Sequence, residues 1–378
     1  MKVLFDATSV PFARGGVGRY VEELLRELAQ LETELTVVCK RSDLARFTAI
    51  LGPACRCVPA PRLVQFRLFR FVWEQVGLAQ LARRTGASII HSPHYTMPLL
   101  TQSHRVVTLH DATFFSDPAV HSTLKRAFFR FWTRVALRRA DVCITPSQAT
   151  ADGLREYIPR IRARIVVAHL GIDRDVFHPP TADEIAQFAA TMDVGRTPWV
   201  AFLGTLEPRK NVPALVGAMG AIAARLGASA PVLILAGAPG WDDRIADSVK
   251  AVAGTLRVIM PGYLPVEQLR ALLAGATITA YPSLGEGFGL PVLEAMASGA
   301  TVLTTRRLAL PEVGGDAVFY CEPDEEALGS ALESLLSNPE LRMQLRERAI
   351  ARAAEFTWRR TALAHIRAYA SSLEPATW

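Results

Sequence analysis

"PSLGEGFGLPVLEAMASG" spans residues 282–299. Gly285, Gly287 and Gly289 fall within five residues, Glu286 sits between the first two, and Glu294 follows eight residues after Glu286. The preceding "ATITAYPS" reads as a strand and "LGEGFG" as a loop. "LPVLEAMAS" reads as a helix with Pro291 in its first turn and Gly299 as its stop, and "ATVLTT" as the next strand. A loop so placed lies at the C-terminal end of a strand and against a helix N-terminus, which is where ligands bind in open α/β sheets. The glycines let a ligand approach the main chain and expose amide hydrogens, and the helix start adds partial positive charge. This environment suits a phosphate, or hydroxyls that need partners. Glu286 can accept hydrogen bonds from sugar hydroxyls, and Glu294, leaning back toward the helix start, can meet the two vicinal hydroxyls of a ribose. The glycines alone read equally well as a plain turn whose acid only favours the helix dipole.

Working outward, the 378 residues suffice for two domains. Half are hydrophobic, and short β-branched runs ("MKVLFDA", "RVVTLHD", "DVCITPS", "PVLILAG") alternate with helical stretches, the pattern of parallel sheets covered by helices. The Pro-Pro pair closing "IVVAHLGIDRDVFHPP" marks a linker near residues 165–180. The expected division is residues 1–175, 176–358, and a C-terminal helix over 359–378 that returns to the first domain. Asn338 reads as an N-cap with Pro339 as the first helical residue. Asp6 interrupts the opening apolar run too early for a signal peptide. No stretch reads as the roughly 18 apolar residues of a spanning helix. Five cysteines without a framework of spacings fit reduced thiols in a cytoplasm. Net charge is +6, divided as +10 over residues 1–175 and −4 over 176–378. A basic half suits nucleic acid, an anionic membrane surface or a phosphorylated substrate.

The complete string resembles the E-x7-E signature of the retaining glycosyltransferases of family 4. Other segments resemble that family in the same order: "GGVGRY" (15–20), "VVTLHDATFF" (106–115), "ITPSQAT" (144–150), "HLGIDRDVFHP" (169–179), "LGTLEPRKN" (203–211), "LPEVGGDA" (310–317) and "FTW" (356–358). The resemblance implies an α/β protein of the GT-B type, two doubly wound Rossmann-like domains facing a central cleft, the first for the acceptor and the second for a nucleotide-sugar donor. It implies a hexosyltransferase without a cofactor. Arg209 and Lys210 would contact the diphosphate, in keeping with adjacent cations at a strand end neutralising a leaving phosphate. Gly16 would bring its amide to the diphosphate from the other domain. His110 would lie beside the transferred sugar. Glu286 would hold sugar hydroxyls with the main chain of Gly287, Phe288, Gly289 and Leu290, and Glu294 the ribose. Front-face attack within an ion pair, with retention, follows from the resemblance, and spacing rules for glycosidase carboxylates do not transfer.

His91 and His94 read as buried structural histidines, and Asp111 as structural. "DRD" (173–175) has a spacing that suits a divalent cation, but it falls in the linker, and no metal is expected. A dinucleotide oxidoreductase is disfavoured because "GGVGRY" does not fit G-x-G-x-x-G. A non-catalytic sugar-nucleotide-binding relative is the alternative from another class. GDP-mannose is the first expectation for the donor, by resemblance to bacterial mannosyl- and rhamnosyltransferases of surface polysaccharides, with a UDP-sugar as the alternative. The acceptor is expected to be a saccharide, free or lipid-linked, and no nucleic acid partner is expected. "RLVQFRLFRFVWEQ" (62–75) and "LKRAFFRFWTRVALRR" (124–139) interleave arginines with aromatics. They suggest peripheral attachment to an anionic membrane on its inner face, or ordinary amphipathic helices.

Overall fold

The β-branched runs assemble into two parallel sheets, each drawn from its own part of the chain. The structure, a computed structural model, describes residues 1–10, 15–53, 55–116 and 123–374. One compact unit comprises Met1–Gly171 with Thr357–Trp378, and the other Ile172–Phe356. The last four residues of the expected segment 359–378 lie outside those described.

In the first unit, strands β1 (Lys2–Asp6), β2 (Glu34–Cys39), β3 (Arg56–Pro59), β4 (Ile89–Ser92), β5 (His104–Thr108), β6 (Val142–Thr145) and β7 (Arg164–Val167) lie in the order β3-β2-β1-β4-β5-β6-β7. All these pairs are parallel. Parallel strands require crossovers, and these carry α1 (Gly16–Leu28), α2 (Leu44–Leu51), α3 (Arg67–Thr85), α4 (Thr113–Ser116), α5 (Thr123–Arg139) and α6 (Gln148–Tyr157). Leu24, Leu25 and Leu28 form the buried stripe of α1. On one sheet face Leu4, Val38 and Ile90 pack with Leu78 and Ala82 of α3.

In the second unit, β8 (Trp199–Leu203), β9 (Val232–Ala236), β10 (Val258–Gly262), β11 (Ile278–Tyr281), β12 (Val302–Thr305) and β13 (Phe319–Cys321) lie in the order β10-β9-β8-β11-β12-β13, again all parallel. Its helices are α7 (Ala182–Thr191), α8 (Val212–Leu226), α9 (Arg244–Val252), α10 (Val266–Gly275), α11 (Leu290–Ala297), α12 (Leu310–Gly314), α13 (Glu325–Ser337) and α14 (Pro339–Ala353). Asn338 caps α14 by accepting from Leu341 N, with Pro339 opening the helix. The final helix, α15 (Trp358–Ser372), joins the first unit and packs on α1, β5 and β6.

One reading of the sequence needs correction. Residues Val212–Ser229 are long and apolar enough by composition to cross a membrane. The reason lies in packing: Val212, Leu215, Val216, Met219, Ile222 and Ala223 are buried, and α8 is covered by α9 and α13. A helix packed between two others is apolar over the faces it buries.

Strand order reverses between β8 and β11, so the loops that leave their C-terminal ends lie side by side. The loop after β8 is also braced by the loop after β9. Gly204 N donates to Ala236 O at 3.0 Å, and Leu206 N to Ala238 O at 3.1 Å. This approach requires Gly237, at φ +142°, where a Cβ would meet Gly204 O at 2.0 Å. Gly237→Ala is therefore expected to cost about 2–4 kcal/mol in urea unfolding. Gly254→Ala, with open space around the added methyl, should stay within about 1 kcal/mol of wild type. Equal stability of the two variants would contradict the packing argument.

Candidate active site

The loops after β8 and β11 meet through charge. Glu207, Pro208, Arg209 and Lys210 follow the β8 strand end, and Pro208–Lys210 form one 3-10 turn closed by Asn211 at φ 58°. That turn aims both cations at Glu286 of the β11 loop. Arg209 forms an ion pair with Glu286 Oε2, and its second guanidinium nitrogen reaches Glu207 Oε1 at 2.5 Å. Lys210 Nζ donates to Glu286 Oε1 at 2.7 Å and also hydrogen-bonds the Tyr281 hydroxyl. Ser283 Oγ and Tyr281 OH donate to the same Oε1 at 2.7 and 3.0 Å. The loops lock through their main chains as well: Leu284 N donates to Arg209 O at 2.9 Å, and the Arg209 guanidinium donates to Gly285 O at 2.8 Å.

Glu286 is 7 % exposed and Lys210 6 %. Burial alone would raise the carboxyl pKa, but Arg209 and Lys210 outweigh it and hold Glu286 at about 2. Lys210 is lowered, by burial and then by its neighbour Arg209. Burial, and then the Glu286 charge, push Tyr281 well up, so its hydroxyl stays protonated. The carboxylate is thus ionised across any working pH. It accepts hydrogen bonds from Lys210, Tyr281 and Ser283.

The rest of the opening segment adopts the expected strand-loop-helix. Gly289, at φ 110°, is the N-cap of α11, with Leu290 and Pro291 in the first turn, and Gly299 ends the helix at φ 81°. Phe288 is buried against Phe356, ring centroids 5.9 Å apart, so its side chain belongs to the core. Leu290 is buried, and Gly287 is half-buried. Glu294 is buried on α11, five residues beyond the N-cap.

His110 and Gly16 belong to the first unit. Gly16 is the exposed first residue of α1. His110 follows the end of β5, half-buried, and its Nε2 donates to Pro93 O at 2.7 Å. Burial lowers its pKa, opposed by the Pro93 hydrogen bond and by Asp111. The ring of Tyr20 meets it edge-on at 5.1 Å. Asp111 accepts from Thr113 N and Oγ1 at 3.1 and 2.8 Å, a local turn. His91 is fully buried and hydrogen-bonded on both nitrogens. Burial first, then His110 and Arg70, push His94 down to about 3. Asp173 of "DRD" accepts from Asp175 N at 3.0 Å. No group of three His, Cys, Asp or Glu suited to a metal ion occurs among the described residues.

Sequence reasoning passed over Glu207, Tyr281 and Ser283, which complete the Glu286 cluster. It also passed over a buried group at the first sheet's C-terminal edge. There Glu74 lies 2.9 Å from Arg70 and accepts from Thr96 Oγ1 at 2.7 Å, and burial carries it up to about 7 against Arg70. Buried Asp6 lies nearby and interacts electrostatically with Arg70. The arginine-aromatic segments are only partly surface. Arg70 turns inward to Glu74. Arg130 donates to Phe114 O at 2.6 Å, and the ring of Phe71 stacks on Trp132 at 6.2 Å. The reason is that both helices must cover the sheet with one face.

A carboxylate–dication cluster beside a glycine-rich helix start, at the switch point of a doubly wound domain, is an arrangement suited to an anionic ligand such as a phosphate. The comparisons agree. Residues 14–176 match the model of the Glycosyltransferase Family 4 and residues 185–352 that of the Glycosyl transferases group 1. O-antigen chain mannosyltransferase B of Escherichia coli is 28% identical, over 98% of this chain and 99% of that protein. Sucrose-phosphate synthase of Thermosynechococcus elongatus superposes with a TM-score of 0.78 at 20% identity, over 98% of both chains. Anabaena HepE, solved with UDP-glucose, gives 0.77 at 18% identity, over 99% of this chain and 100% of that one. The two family models together span most of the chain, which is a glycosyltransferase with a GT-B fold of two Rossmann-like domains. It is a nucleotide-sugar-dependent enzyme acting on a saccharide acceptor, related to bacterial mannosyltransferases of surface polysaccharides.

Acid stability follows from these groups. Burial first, and His110 further, hold His365 at about 4 when folded, offset in part by the Thr361 carbonyl. It takes a proton more readily unfolded, so its contribution is complete above about pH 6.5 and is lost as pH falls toward 4. Glu286, held at about 2, contributes fully above about pH 4.5 and loses that contribution on falling to 2. Urea titrations should show stability declining through both windows. Glu286→Gln should be less stable at neutral pH by a few kcal/mol, because buried Lys210 loses its close carboxylate partner and half-buried Arg209 keeps only Glu207, and should show a flatter lower window. A lower window unchanged by the substitution would contradict the cluster's electrostatics.

Proposed function

We propose that the second unit holds the nucleotide-sugar donor, with Arg209 and Lys210 at its diphosphate, Glu286 at the sugar hydroxyls and Glu294 at the ribose. The main chain of Gly287, Phe288, Gly289 and Leu290 would complete the sugar contacts. The observation that carries this is the Arg209–Glu286–Lys210 cluster at the switch-point strand ends. Two cations there can balance charge developing on a departing diphosphate. Gly16 and His110 are the proposed substrate-facing groups of the first unit, and that unit is the proposed acceptor domain.

Transfer is read as retaining, by front-face attack with the leaving phosphate oxygen taking the acceptor proton. The tethering of Glu286 supports this: a carboxylate bound by two cations and two hydroxyls is a poor nucleophile. For the donor, a UDP-sugar has the better support, since HepE was solved with UDP-glucose. GDP-mannose is the second reading, favoured by the mannosyltransferase that matches nearly the whole chain. A panel of nucleotide sugars scored by nucleotide release and thermal shift separates the two. With the active donor, Arg209→Ala and Lys210→Ala should each lower kcat/KM at least about tenfold. Normal turnover in both would remove the diphosphate role. Activity should survive a strong chelator. Loss restored by Mg²⁺ would show that these cations do not suffice.

The acceptor is proposed to be lipid-linked and met at the cytoplasmic face of a membrane. Leu63, Phe66, Leu68, Phe69, Val72 and Val76 are all at least half exposed along residues 63–76, beside exposed Arg62 and Arg67. Apolar area of this kind with a basic rim fits an anionic interface. Binding to anionic vesicles should exceed binding to neutral ones and weaken at high salt. Equal, negligible pelleting with both would leave the patch another purpose.

A further inference from the structure

The first unit is crossed by a chain of buried polar side chains that no motif in the sequence announces. Tyr369 OH lies 2.7 Å from His91 Nδ1, and His91 Nε2 lies 2.9 Å from Thr108 Oγ1. Thr108 Oγ1 is 2.8 Å from Tyr20 OH, and Tyr20 OH is 2.8 Å from His365 Nε2. His365 Nδ1 ends the chain 2.8 Å from Thr361 O. All six residues are at most 2 % exposed.

Proton counting gives this chain one direction. Thr361 O only accepts, so His365 Nδ1 carries a proton. Burial keeps both His91 and His365 neutral, and no carboxylate opposes it at either. His365 Nε2 is then an acceptor and takes the single proton of Tyr20. Tyr20 must accept from Thr108, whose one proton is thereby used. Thr108 accepts from His91 Nε2, which leaves His91 Nδ1 to accept from Tyr369. Each link satisfies one donor and one acceptor, and reversing any one orphans a buried group.

The chain joins four separate stretches, with His91 on β4. His365 and Tyr369 lie on α15, Tyr20 on α1 four residues after Gly16, and Thr108 two residues before His110. It reaches His110 by two routes. The Tyr20 ring meets the imidazole edge-on, and Pro93, whose carbonyl receives His110 Nε2, lies two residues after His91. We propose that His365 and Tyr369 are positioning residues for the transfer reaction: through this one-way chain they fix the Tyr20 ring and the Pro93 carbonyl that orient His110. The proposal rests on the reading of His110 as a substrate-facing group, whereas the hydrogen-bond directions do not.

Nitrogen NMR of the whole enzyme labelled in histidine tests it. At neutral pH His91 should carry its proton on Nε2 alone and His365 on Nδ1 alone. The same tautomer at both, or a doubly protonated ring at either, would overturn the chain. Tyr369→Phe should then move the His110 resonances and lower kcat about tenfold, with donor KM changed less than about twofold. Ala362→Gly, a buried substitution on α15 outside the chain, supplies a control of comparable destabilisation. If Tyr369→Phe loses activity only in step with this control and His110 does not respond, α15 is a structural element and the positioning role falls. If His110→Ala itself transfers normally while the tautomers are as stated, the substrate-facing reading of His110 fails and the chain survives.

Discussion

A carboxylate buried between an arginine and a lysine is the constraint around which the second unit is organised. Glu286 has little water to solvate it, so its ionised form exists only while Arg209 and Lys210 hold it. Neither cation is near Glu286 in sequence. They arrive because β8 and β11 are neighbours at the reversal of strand order. The turn at Pro208–Lys210 must also point both side chains the same way. The glycines after β9 serve the same end, since the β8 loop runs against their bare backbone.

The same logic bears on the proposed chemistry. A site prepared for a diphosphate has to keep cations ready without letting them fold away or repel each other. Glu286, with Glu207 on Arg209, would perform that task on the proposed reading, and Tyr281 and Ser283 complete the hydrogen bonding around Glu286. On the proposed reading, a donor shares an environment already balanced for negative charge. Little reorganisation then remains at the moment the phosphate leaves. In the first unit the side chains from Tyr369 through His91, Thr108 and Tyr20 to His365 are joined by hydrogen bonds without a carboxylate among them, and the burial of both histidines opposes their protonation.

The fold was legible because its signals are local. β-branched runs between glycine-rich turns announce parallel strands, and Pro291, Gly299, Asn338 and Pro339 announce helix ends from a few residues each. The grouping of Arg209, Lys210 and Glu286 was suggested by resemblance, and the structure places the three side chains in contact within one unit. What was not legible depends on long separations. Tyr281 and Ser283 look like the polar end of a strand until Lys210 is packed against them. Tyr20 and His365 are 345 residues apart, and neither has a periodicity that predicts the other. The apolar run over Val212–Ser229 was present in the composition and passed over, whereas its place as a core helix depends on what covers it.

The most direct measurement of the central claim is a binding cycle between phosphate number and cation. Titration calorimetry would compare nucleoside diphosphate with monophosphate, for both uracil and guanine nucleotides, in wild type, Arg209→Ala and Lys210→Ala. The account predicts that wild type prefers the diphosphate of its own base by at least about tenfold, and that each substitution removes most of that preference. Retention of the full preference in both variants would contradict it.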